Sequence, residues 1–156
     1  MATRYETDFY GWTQEQAAKL RTLLVDRSNL DLDIENIAEE IDSLGRSDYR
    51  QLVSRLDEIA IHLLKLHYST ALDCEQLWKN SVRGQRKRIA KLLRDSPSLK
   101  PRLAEALEAG YEDALRHFSD QKLIELGMPD ALPGSSPFGL DHCLQDEWWP
   151  ELRGAS

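Results

Sequence analysis

The stretch from Asp48 to Ser69 leaves the chain the least freedom. Leu52, Leu56, Ile59, Leu63 and Leu66 recur at three- and four-residue intervals, and Val53, Ala60, Ile61, Leu64 and Tyr68 widen that stripe until little polar surface is left. Residues at this spacing share one face of an α-helix, and a helix apolar round most of its circumference has to be buried. What stays polar is a single line, Asp48, Gln51, Arg55, Glu58, His62 and Lys65. Such a rod needs other amphipathic elements around it.

The neighbouring segments supply them. Leu30 to Leu44 reads as an acidic helix that Asp31 or Asp33 can cap, with Ile34, Ile37, Ala38, Ile41 and Leu44 on one stripe and Glu35, Glu39 and Asp42 on another. Gly45 is expected to end that helix in a left-handed residue, and Ser47 to cap the next. Upstream, Thr13 and Gln16 fit a capping box for a first helix to Val25, followed by a polar break at Asp26 to Asn29. Downstream, Asp73 and Gln76 cap a fourth helix, Cys74 to Arg94, whose buried line is Trp78, Val82, Gln85 and Ile89. Its other faces are basic, with Lys79, Arg83, Arg86, Lys87, Arg88, Lys91 and Arg94. A fifth helix starts near Ser98, carries Leu99, Leu103, Leu107, Tyr111, Ala114 and Phe118, and continues to Leu126.

Pro129, Pro133, Gly134 and Pro137 exclude regular helix from Met128 to Phe138, and a helical turn is expected at Leu140 to Leu144 before the tail with Trp148 and Trp149. No alternating strand pattern is present. The chain is therefore all-α, an up-and-down bundle of about five helices in one domain over residues 1–156, with an aromatic arm at 1–12 and an irregular segment at 127–156.

Composition bounds the function. A net charge of −7 over 156 residues opposes a surface built for nucleic acid or anionic lipid, although the basic fourth helix could follow a phosphate backbone. Cys74 and Cys143 stand far apart without CxxC spacing, and neither a signal-like apolar run nor a span of about 20 apolar residues is present, so a cytoplasmic protein off the membrane is expected. No P-loop, GxGxxG or GxSxG occurs. His142 beside Cys143 reads as an ordinary tail pair, because adjacent helical residues point apart.

The runs YETDFYGWTQEQAAKLR, LDLDIENIAEEIDSLGRSDYRQLVSRL, HLLKLHY, SVRGQRKRIAKLLRDSPSLKPRL and YEDALR resemble the bacterial family catalogued as domain of unknown function 29. Leu66 and His67 replace a more typical tryptophan and glutamine, and WWPELRG is a divergent form of the family's ending. The resemblance implies a small helical protein and carries over no catalytic residue.

The site then has to be read from the residues alone. Glu35, Glu39 and Asp42 can meet Arg83 or Arg86 across the bundle, and Glu58 and His62 can join them, either as a structural network or as the polar wall of a pocket. Glu58 and His62 lack the Glu-x-x-His spacing of bundle metal sites, so no metal and no cofactor is expected. Tyr5, Phe9, Tyr10 and Trp12 at one end, and Trp148, Trp149 and Leu152 at the other, are either lids on the bundle or anchors for a partner. The expectation is a binding, adaptor or regulatory module with a protein partner or a second copy of itself. The alternative is a ligand binder or enzyme using the polar cluster.

Overall fold

The computed structural model describes residues 1–25 and 31–153, so the expected break at Asp26 to Asn29 lies outside the described residues. Seven α-helices occur among them, with no strand: α1 (Arg4–Thr7), α2 (Phe9–Val25), α3 (Ile34–Tyr68), α4 (Glu75–Asp95), α5 (Leu103–His117), α6 (Asp120–Glu125) and α7 (Leu140–Leu144). Two 3-10 turns, Leu72–Cys74 and Pro97–Arg102, precede α4 and α5. The chain is all-α.

Gly45 does not end a helix. The two helices expected on either side of it are one, the 35-residue α3. A Cβ on Gly45 would collide with the Thr13 hydroxyl oxygen and stand 2.9 Å from the Gln14 side-chain amide nitrogen. The missing side chain therefore serves a close approach of α2 to α3 and not a left-handed turn. Thr13 is likewise no cap: it lies inside α2, fully buried, and its hydroxyl donates to the Tyr10 carbonyl at 2.7 Å. Asp33 does cap α3, accepting from the Asn36 amide at 3.3 Å.

The expected fifth helix divides. Pro97 and Pro101 shape its start into the 3-10 turn, and Ser119 caps a separate α6 by accepting from the Lys122 amide at 3.3 Å.

The described residues group into two compact units, each discontinuous in sequence. The first comprises Met1–Gln51 and Lys91–Arg102. Asp8 is its junction. The Asp8 carboxylate accepts from the amides of Ser98 at 3.1 Å and Gly11 at 3.3 Å, from the Ser98 hydroxyl, and from Arg4. Burial pushes the Asp8 pKa up, but these donors outweigh it and hold the carboxyl below its ordinary value. Nearby, the Tyr10 amide donates to the Ser96 hydroxyl at 3.0 Å, and Arg102 donates to the Tyr10 hydroxyl at 2.8 Å while lying over the Tyr49 ring at 3.7 Å. The residues before α5 are thus stitched to the first twelve of the chain.

The second unit comprises Leu52–Ala90 and Leu103–Ser156. Its core is the stripe read from the sequence: Leu52, Leu56, Ile59, Leu63, Leu64 and Leu66 are all fully buried. Trp78, Val82 and Ile89 of α4 and Ala106, Leu107, Tyr111 and Ala114 of α5 complete it. Where α5 crosses α3 the backbones nearly touch. A Cβ on Gly110 would lie 2.9 Å from both the Val53 carbonyl oxygen and the Asp57 amide nitrogen.

Candidate protein-binding groove

The first unit carries the aromatic residues of the N-terminal arm. Thr3 starts α1 by donating its amide to the Glu6 carboxylate at 2.7 Å, and one residue, Asp8, separates α1 from α2. This short link brings three rings together: Tyr5 meets Trp12 edge-on at 4.9 Å and Phe9 at 5.7 Å, and Phe9 stacks on Trp12 at 5.9 Å. Tyr5 remains 55% exposed. The cluster is an open aromatic edge and not a closed lid.

Beside it lies a cleft of about 430 Å³ lined by Tyr5, Glu6, Phe9, Asp48, Gln51, Leu92, Asp95 and Ser96. On α3, Asp48 and Gln51 continue at helical spacing into Leu44, Ile41 and Ile37, so the cleft opens onto an apolar helix face. Leu44 is 50% exposed and Ile37 39%. The opposite flank of α3 is charged. There Arg21 pairs with Asp42 at 2.8 Å and with Glu39 at 3.4 Å, and Arg46 pairs with Glu39 at 2.5 Å.

The cleft is lined by three acids and no base. Burial pushes the Asp48 pKa up, the Ser96 hydroxyl at 3.4 Å partly offsets this, and nearby Asp95 adds to it. A carboxyl held above its ordinary range by burial and a like charge would be relieved by a cation.

The polar residues anticipated from sequence fall into separate groups. Glu39 and Asp42 come together, on Arg21 and Arg46. Glu35 is exposed at the start of α3. Glu58 and His62 meet each other at 3.5 Å one turn apart on α3. Arg83 holds Glu147 through two hydrogen bonds at 2.7 and 3.0 Å. Arg86 turns away from carboxylates altogether and donates to the carbonyls of Cys143 at 2.9 Å and of His142 and Trp148 at 3.0 Å. Among the described residues no group of three or more His, Cys, Asp or Glu side chains could hold a metal ion, and no helix is long and apolar enough to cross a membrane.

Arg86, read from the sequence as part of a basic face that could meet the acids of the second helix, is buried on backbone carbonyls instead. It is 4% exposed. The guanidiniums of Arg86 and Arg83 and the ammonium of Lys79 lie 4.9, 5.1 and 5.5 Å from the Trp149 ring. Trp148 stacks on His142 at 4.3 Å. Both tryptophans are therefore packed. Cys143 is buried, which pushes its thiol up to about 11 and keeps it protonated.

Asp57 carries no sequence motif, yet its environment is unusual. One carboxylate oxygen is buried without a hydrogen-bond partner, and burial, followed by Glu58 and Asp113, pushes its pKa up to about 6. The folded protein then binds a proton that the unfolded chain releases, so this group costs stability as pH rises from about 4 to 6 and costs it fully above. Asp57→Asn is expected to raise stability by about 1–2 kcal/mol at pH 7.5 and by nothing at pH 4. Urea unfolding of both proteins at the two pH values checks this.

The comparisons with known proteins agree with this architecture. A crystal structure of an alpha-helical protein of unknown function from Rhodospirillum rubrum, at 1.45 Å resolution, is similar with a TM-score of 0.70 and 27% identity, covering 95% of this chain and 93% of that one. No curated protein matches. The family described as domain of unknown function DUF29 matches residues 4–149, and the chain belongs to it.

Proposed function

We propose that this protein is a protein-binding module whose first unit receives a basic amphipathic helix from a partner. The observation that carries the reading is the acidic cleft beside Tyr5 and Phe9, continuous with the exposed Leu44 and Ile37. An amphipathic helix docks with apolar anchors one and two turns apart, the periodicity that Ile37, Ile41 and Leu44 offer. Glu6, Asp48 and Asp95 at the cleft select lysine or arginine on the incoming helix, which disfavours the many acidic surfaces it would otherwise accept.

The test uses two fluorescent peptides of one amphipathic pattern, Leu/Lys and Leu/Glu, titrated with the full chain in an anisotropy assay. The Leu/Lys helix is expected to bind and the Leu/Glu helix not. The double variant Tyr5→Ser, Leu44→Ser removes two half-exposed side chains and is expected to weaken binding about tenfold while the chain stays folded, with only the aromatic contacts of Tyr5 lost from its stability. Raised salt weakens it further. Equal binding of both peptides, no binding of either, or indifference to the double variant overturns the reading.

A further inference from the structure

A second cleft, of about 470 Å³, lies in the other unit, between α5 and residues 134–140. We propose that it binds an organic cation, a primary ammonium carried on an aliphatic stem. The size is within the range of sites that enclose small ligands.

Its floor is apolar and closed: Leu107, Tyr111 and Phe138 are buried. The Tyr111 hydroxyl donates to the Pro133 carbonyl at 2.6 Å, which ties the loop to α5 and fixes the ring. Ser136 stiffens the loop, its hydroxyl donating to the Phe138 carbonyl at 2.8 Å and accepting from the Phe138 amide at 3.2 Å. The cleft is preformed, so a ligand need not order it.

One wall sets the ligand's charge. Glu108 and Glu112 stand one turn apart on α5, both exposed, and among the described residues neither has an ion-pair or hydrogen-bond partner. The lining residues include no Lys, Arg or His. Two unopposed carboxylates above an apolar floor repel anions and hold a cationic head more strongly than a neutral hydroxyl. An alkylammonium satisfies both, with its stem on Leu107 and Phe138 and its head between the glutamates. A free amine and the side chain of a lysine share this chemistry.

The test titrates the full, nitrogen-15-labelled chain with n-hexylammonium, and separately with a lysine peptide blocked at both ends. Amide shifts are expected to move at residues 104–112 and 134–140. Movement with both ligands assigns the cleft to the shared group, with n-hexylammonium alone to a free amine, and with the peptide alone to a lysine side chain. Glu108→Gln with Glu112→Gln is expected to lower affinity about tenfold, and n-hexanol to bind about as weakly as that variant binds the amine. The same double variant leaves the Leu/Lys helix bound in the first unit, so the two proposals fail separately. No shift with either ligand, shifts elsewhere, or equal affinity for hexanol and hexylammonium overturns this one.

Discussion

Arg86→Leu is expected to destabilise the protein by about 3–4 kcal/mol, a fall in Tm of about 6–16 °C for a chain of this length. The leucine gains apolar burial, but three carbonyls, of His142, Cys143 and Trp148, lose the donors that satisfy them. A buried acceptor left alone costs about 1–3 kcal/mol, so the carboxy-terminal segment is expected to lift into water. Trp148 and Trp149 report this directly, because their fluorescence should shift to the red in the variant before any denaturant is added. Arg86→Lys keeps the charge and cannot reproduce the fork, and it is expected to recover less than half of the loss. Near-wild-type stability and unshifted emission in Arg86→Leu would mean that the segment is held by its apolar contacts alone.

Gly110→Val is expected to cost 3 kcal/mol or more. Its first carbon already meets the Val53 carbonyl oxygen and the Asp57 amide nitrogen at 2.9 Å, both backbone atoms of α3, and two further methyls have to enter the same contact. Gly110→Ala gains about 1 kcal/mol of helix propensity, yet is expected to lose about 1–2 kcal/mol overall. Gly84, in the middle of α4, is the control: an added Cβ meets nothing within 4 Å. Gly84→Ala should stabilise by about 0.5–1 kcal/mol. Urea midpoints for the three variants must move in these opposite directions if backbone contact, and not helix propensity, decides the sign.

Most helices were legible because burial imposes a period on the sequence. The Leu52 to Leu66 stripe and the α5 stripe of Leu107, Tyr111 and Ala114 are core in the structure as read, and α7 spans the residues expected of it. Gly45 was misread because a missing side chain permits two things, a left-handed turn and a close approach, and only a partner helix tells them apart. The unbroken spacing of Ile34, Ile37, Ile41 and Leu44 toward Leu52 was the available signal for a continuous helix.

Arg86 was illegible for a different reason. Its partners are backbone carbonyls more than fifty residues away, and a carbonyl has no letter of its own. The acidic residues were read toward α4, although Arg46 stands four residues from Asp42 and seven from Glu39, where a helix presents it. The groove depends on Tyr5 meeting Trp12 across the Asp8 link, a contact between residues two helical turns apart that an unbroken helix would hold too far apart to form.

The joining of Asp8 and Tyr10 to Ser96, Ser98 and Arg102 has a consequence for the order of events during synthesis. The aromatic arm is translated ahead of its partners, which follow 86 to 92 residues later. At about 5–20 residues per second, the arm waits on the order of 5–20 s for the residues that finish it. Over that interval Tyr5, Phe9 and Trp12 form an unfinished apolar surface, available to chaperones before the groove they belong to exists.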